Sequence, residues 1–146
     1  TVGELYLQYG LRASMRIVEK ARDFCAQRGK KLMLVLFHGD GDIHRMCEGK
    51  PRVDQPFVDF LQREGLRVAD MLPAHGEDYR KFRLSPVEYM RHYCIPHYNP
   101  RGNHFAAYAM KDCVVEWLDP KPRSYQPGGK PVHFDQYLLD APDRRG

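Results

Sequence analysis

The sequence predicts an α/β layered domain, and three observations predict it. Helix and strand signals follow one another in the order helix–strand–helix–strand–helix–helix. The run Lys31-Leu-Met-Leu-Val-Leu-Phe37 is apolar on both faces, as an interior strand of a parallel sheet must be. The helical segments also carry their own caps and stop signals. The 146 residues suit one domain, and a domain of that size buries about 68–70% of its unfolded surface without a disulfide or metal staple.

Thr1 to Arg28 reads as a long helix. Thr1 and Glu4 form a capping box, and Leu11, Met15, Val18, Ala21 and Cys25 recur along one face. Gly10 weakens that helix locally, and Gly29 supplies its left-handed stop. The strand Lys31–Phe37 follows. His38 to Arg52 is polar and glycine-rich and reads as a loop leaving the strand's carboxyl end. Asp54 to Glu64 has the cap, the early proline and the apolar spacing of a short helix, which Gly65 closes. Leu66 to Asp70 reads as a second strand ending in an acid. Ser85-Pro-Val-Glu88 starts another helix, with a second capping box and proline at the first helical position. Asn99-Pro100 opens the helix carrying Phe105, Ala106, Ala109, Met110, Cys113, Trp117 and Leu118. Residues 1–118 thus form the domain. Residues 119–146, rich in proline and glycine with the aromatic patch His133–Tyr137, form an extended C-terminal arm.

Two strands are few for a strand as apolar as Leu32–Phe37, which wants neighbours on both sides. Either further strands are hidden, or polypeptide outside this sequence completes the sheet. A first residue that is Thr1 rather than Met fits the second option. The chain by itself is then expected to expose an apolar sheet edge and to dissolve poorly.

Composition narrows the function classes. The chain carries 23 Lys and Arg against 19 Asp and Glu, for a net charge of +4. The basic residues are scattered among acids, which describes a solvated helix face better than a nucleic-acid stripe. The longest apolar run, Leu32 to Phe37, is far short of the roughly 20 residues a membrane span needs. Neither nucleic acid nor membrane is an expected partner. Cys25, Cys47, Cys94 and Cys113 show no C-x-x-C spacing, so reduced thiols in a cytosolic type of protein are expected. No leader precedes them, but one removed earlier would leave the compartment open.

The most informative stretch is Cys94-Ile-Pro-His-Tyr-Asn-Pro-Arg-Gly-Asn-His104. His97 stands two residues before an Asn-Pro helix start, where a turn can hold an imidazole rigidly at one edge, as a general base requires. The bland reading is a histidine at a helix start bonded to backbone. Cys94 beside His92 and His97 also invites a thiol nucleophile, although buried cysteine is the commoner case. The string Tyr89, Tyr93, Tyr98, Phe105, Tyr108 and Trp117 could line an acyl or sugar pocket, but at helical spacing it reads as core.

This stretch resembles the last sequence block of the SGNH (GDSL-like) hydrolase family, in which a histidine, usually as Asp-x-x-His, precedes Asn or Pro, a Gly and a helix. The similarity runs from Val2 to Leu118 by element order and looks like the C-terminal half of that fold. The resemblance implies a three-layer α/β/α, flavodoxin-like fold. It also implies ester or acyl chemistry on acylated carbohydrate or lipid substrates, with no cofactor. It makes His97 the catalytic base, with Asp70, Cys94 and Asn99 as orienting or supporting residues. The sequence departs from the family in having no Gly-Asp-Ser nucleophile block and no match to the Gly and Asn oxyanion blocks. Cys94 stands where the acid is expected, and the only serines are Ser14, Ser85 and Ser124.

The expectation is therefore the C-terminal portion of an SGNH-like serine esterase or acetyl hydrolase, active as an intact parent with its N-terminal half and inactive as this chain alone. The alternative is a domain that has lost the chemistry and works by binding. A third reading is a metal-dependent hydrolase using His38, Asp40, Asp42 and His44, which follow a strand's carboxyl end where α/β sheets bind ligands. Their spacing fits no zinc or calcium loop, and Asp-Gly pairs are ordinary turn chemistry.

Overall fold

In the computed structural model, which describes residues 1–95 and 97–128, helix α1 (Val2–Ala26) opens on the capping box of Thr1 and Glu4. It ends before Gly29, whose φ of 61° only glycine adopts readily. The lysine-flanked apolar run becomes strand β1 (Met33–Leu36). Helix α2 (Asp40–Cys47) follows, then α3 (Gln55–Arg63), strand β2 (Arg67–Asp70) and helix α4 (Met71–Tyr79). Helix α5 (Pro86–Tyr93) carries the expected Ser85–Glu88 capping box. A hairpin of two-residue strands, β3 (Cys94–Ile95) and β4 (His97–Tyr98), leads into α6 (Pro100–Trp117).

Strands β1 and β2 pair in parallel, with Met33 opposite Arg67 and Leu36 opposite Asp70. Leu34, Leu36, Leu66 and Val68 pack with Met15 and Val18 of α1 and with Phe57, Phe60 and Leu61 of α3. Burying Phe60 and Leu61, which are almost fully enclosed, stabilises the fold by about 1.5–3 kcal/mol each. A second core joins Ile43 of α2, Leu72 of α4 and the tyrosines Tyr89 and Tyr93 of α5.

The expected three-layer α/β/α, flavodoxin-like architecture is not what forms. Among the described residues there are six α-helices, a two-stranded parallel sheet and a two-residue antiparallel hairpin. A doubly wound fold needs about five parallel strands, and no third run here pairs with β1 or β2. The glycine-rich stretch after His38, expected as a loop, is largely α2. Its acids Asp40 and Asp42 fall in the first turn, where they favour the helix dipole. Met71–Tyr79 forms α4 although it contains Pro73 and Gly76, because a proline in the first turn gives up an N–H that has no helical partner anyway.

Among the described residues, several large apolar side chains stand exposed on α1. The β1 residues are half-buried, whereas Val2, Tyr6, Tyr9, Ile17 and Phe24 stand exposed along the helix. No helix among the described residues is long and apolar enough to cross a membrane.

The chain divides into two compact units, Thr1–Met110 and Lys111–Gly146. In the second unit, Lys121 Nζ donates to the carbonyls of Val115, at 2.8 Å, and Glu116. That places a cation on the C-terminal end of the helix. A 3-10 turn follows at Arg123–Tyr125. The aromatic patch His133–Tyr137 lies outside the described residues.

Candidate functional site

The carboxyl ends of β1 and β2 organise the site. Strand β2 ends in Asp70, whose backbone caps α4 and whose Oδ1 accepts from the Leu72 amide at 3.0 Å. The same carboxylate takes His38 Nε2 at 3.0 Å and an Arg52 guanidinium nitrogen at 2.6 Å. Arg52 also forks onto Asp54, at 2.8 and 2.9 Å. Asp54 therefore begins α3 without a side-chain cap bond, its carboxylate being held by arginine. Burial alone would raise the Asp70 carboxyl, but its bonds from His38, Arg52 and the Leu72 amide outweigh that and hold it at about 2. Asp70 is therefore ionised at neutral pH. Being an acceptor only, it requires His38 to donate from Nε2.

His97 lies in β4, opposite Ile95 in the hairpin. The residue after it, Tyr98, meets Phe37, the residue after β1, edge-on with ring centroids 6.0 Å apart. The Tyr98 hydroxyl bonds Nε2 of His75 at 2.5 Å, and Nδ1 of that histidine bonds the Tyr89 hydroxyl at 2.9 Å. Tyr89 in turn donates to Asp78 at 3.2 Å, and Tyr93 donates to the same oxygen at 2.7 Å. His75 is 0% exposed, and its ring lies 4.6 Å from that of Phe105. Desolvation lowers its pKa to about 4 against the pull of Asp78, so it is neutral near pH 7. Burial also raises Tyr98, to about 12, and keeps it a phenol able to donate.

Asn99 fastens the other end of the hairpin. Its Nδ2 donates to the His92 carbonyl at 3.0 Å, and its Oδ1 accepts from the Gly102 amide at 2.9 Å as the cap of α6. Gly102 is buried where a Cβ would collide with the Tyr93 carbonyl oxygen and stand 3.0 Å from Tyr98 Cβ. Held this way, His97 is exposed, and its Nδ1 lies 3.2 Å from the Tyr98 carbonyl oxygen. A carbonyl only accepts, so the bond places the proton on Nδ1 and leaves Nε2 as the basic nitrogen.

The expected supporting residues are not all gathered around His97. Asn99 anchors its hairpin. Cys94 pairs with Tyr98 across that hairpin, and burial, with Asp40 nearby, raises its thiol pKa, which is the opposite of an activated nucleophile. Asp70 is engaged by His38, Arg52 and the Leu72 amide instead. Of the serines, Ser14 bonds the Gly10 carbonyl, Ser85 caps α5, and Ser124 lies in the 3-10 turn.

The four proposed metal ligands are dispersed. His38 holds Asp70, Asp40 accepts from the Gly41 amide, and His44 pairs with Glu48 at 3.5 Å. Among the described residues no three His, Cys, Asp or Glu side chains converge to hold a metal. His75, Tyr89 and Asp78 were not legible as a network, because a lone histidine beside Gly76 carries no periodic signal. The i, i+4 pair Tyr89–Tyr93 was the one available hint.

Two cavities flank α2. One, of about 520 Å³, opens between α2 and α4 and is lined by Arg45, Lys50, Arg52 and Arg80 together with Asp42 and Glu77. The other, of about 420 Å³, lies toward α5 and the hairpin, between Asp40, Gly41, His44, Met90, Arg91 and Cys94. Comparison of the chain with protein-family models, with curated proteins and with solved structures returns no match.

Proposed function

We propose that this chain carries the general base of a serine-type ester hydrolase, with His97 in that role, and that the nucleophilic serine belongs to polypeptide outside these 146 residues. The observation that carries the reading is the His97 tautomer. In the neutral ring, the Nδ1–H bond to the Tyr98 carbonyl puts the lone pair on Nε2, and the hairpin carrying this exposed ring contacts Phe37, just after β1. Nε2 takes the serine proton as the Ser Oγ–acyl carbon bond forms. The resulting Nε2–H then protonates the leaving alcohol oxygen, and water repeats the sequence to release the acid. Acylated carbohydrates or lipids are the substrate class.

A second reading, a binding domain without catalysis, is favoured by one observation. Each of the three serines is tied into a helix, a cap or a turn. The test uses protein made from the complete reading frame containing these residues, with p-nitrophenyl acetate as substrate. His97→Ala is expected to lower kcat by about 10²–10⁴-fold with unchanged folding. Undiminished turnover in that variant, or no turnover in the parent, overturns the hydrolase reading, and the latter leaves the binding domain.

A further inference from the structure

We infer that the 520 Å³ cleft between α2 and α4 binds a dianionic tetrahedral oxyanion, phosphate or sulfate, borne on a larger molecule, independently of any chemistry at His97. Three basic side chains reach this cleft from three different segments: Arg45 from α2, Lys50 from the loop after it and Arg80 from the residue that ends α4. Arg52 also lines it. The segments are fixed. Gly49, with φ of 70°, ends α2 and lets the Lys50 amide bond the Arg45 carbonyl at 2.9 Å. The Arg45 guanidinium itself bonds the Pro51 carbonyl at 3.2 Å.

Charge then selects the ligand. Arg52 is neutralised by Asp54 and Asp70, but Lys50 and Arg80 meet only the exposed carboxylates of Glu48 and Glu77. Such exposed pairs are worth about 0–1 kcal/mol and yield readily to a better anion. Arg45 makes no ion pair among the described residues, and its Nε is buried without a hydrogen-bond partner. That Nε has essentially no accessible surface, so a ligand would be met by the terminal guanidinium nitrogens, which favour an acceptor with several oxygens. With Arg52 held by Asp54 and Asp70, the cations an incoming anion meets are Arg45, Lys50 and Arg80, and a dianion with several oxygens can engage more than one of them.

The cleft also exceeds what a bare ion fills and lies within the roughly 300–1,000 Å³ range of ligand pockets. Met46, Val53, Leu72 and Pro73 give the rest of the ligand an apolar wall. The position agrees with the general placement of ligands beyond the carboxyl ends of parallel strands, since α2 and α4 are the helices that follow β1 and β2.

The test is an NMR titration of the full chain with sodium phosphate, sodium sulfate and sodium acetate, each against sodium chloride at matched ionic strength. Backbone amides and the Arg45 Nε–H are followed. Saturable shifts at Arg45, Lys50 and Gly76 with phosphate, sulfate or both are expected, at least tenfold tighter than with acetate; which ion saturates identifies the source. Arg45→Gln and Arg80→Gln are expected to weaken binding at least tenfold, and Arg91→Gln, on the other cavity, to leave it within twofold. Arg80 is exposed, so its variant keeps the test decisive if Arg45→Gln fails to fold. Shifts that never saturate, equal binding of acetate, or equal losses in Arg80→Gln and Arg91→Gln overturn the proposal.

Discussion

The Nε2 of His75 and the hydroxyl of Tyr98 share a 2.5 Å hydrogen bond, which ties the hairpin bearing His97 to the middle of α4. The direction of the chain of bonds follows from its far end. Asp78 accepts from Tyr89, so the Tyr89 oxygen accepts from His75 Nδ1–H, and His75 Nε2 must receive its proton from Tyr98. The fixed tautomer inside the core thus orients the residue next to the proposed base.

Tyr98→Phe keeps the ring and removes that donor, leaving a buried imidazole nitrogen unsatisfied. The expected loss is about 1–3 kcal/mol in urea unfolding. Hydrogen exchange is expected to localise the effect, with the Asn99 amide, which bonds the Tyr93 carbonyl at 2.9 Å, losing more protection than the amides of α3. Wild-type stability together with unchanged protection would show that the bond does not hold the hairpin.

The pH dependence of stability should carry the mark of His75. Its folded pKa of about 4 lies below the ordinary 6.5, so between these values the unfolded chain binds a proton that the folded chain refuses. Stability is full above pH 6.5, falls as the pH drops toward 4, and loses about 3 kcal/mol across that window. Urea unfolding at pH 7, 5.5 and 4 measures this slope. His75→Gln is expected to flatten it, and an unchanged slope in the variant assigns the effect to other groups.

Where these features were legible, the reason was local chemistry. Thr1 with Glu4 and Ser85 with Glu88 announce helix starts because the capping bonds join residues three apart. The site edge was legible too: an apolar strand running to Phe37, with His38 just beyond it, and a second ending at Asp70 do place both side chains at one carboxyl edge. What could not be read was the pairing across 32 residues that joins them, or that Arg52 rather than His97 would take the other carboxylate oxygen of Asp70. Helix α4 was hidden by Pro73 and Gly76, which the first turn and the contact with Met46 accommodate. The three-layer expectation rested on strands beyond the two apolar runs, and neither the glycine-rich stretch nor the hairpin supplies one.

Glycines separate packing from conformation. Gly102→Ala is expected to destabilise by more than about 2 kcal/mol, because its Cβ meets a backbone oxygen and the Tyr98 ring with no room to move. Gly10→Ala lies in the interior of α1 with nothing within 4 Å and is expected to raise stability by about 0.5–1 kcal/mol. Thermal melts of the two variants should shift in opposite directions, and a neutral Gly102→Ala would remove the argument that this glycine seats the hairpin.

Asp70 governs a separate and more acidic window. Its folded pKa of about 2 is below the ordinary 3.8 because His38, Arg52 and the Leu72 amide together overcome the cost of burial. The stability it contributes is present above pH 5, declines as the unfolded chain takes up its proton near 3.8, and is gone once the folded carboxyl protonates near 2. The amount is about 2 kcal/mol. Asp70→Asn replaces one accepting oxygen with a donor facing His38 or Arg52, so it should cost about 3 kcal/mol at pH 7, with Asp54 left as the arginine's counter-charge. The variant should also lose the acid limb between pH 5 and 2 while keeping the His75 limb between 6.5 and 4. If urea unfolding of Asp70→Asn retains both limbs at full size, the carboxylate does not hold β1, β2 and Arg52 together, and that edge of the sheet is maintained by packing alone.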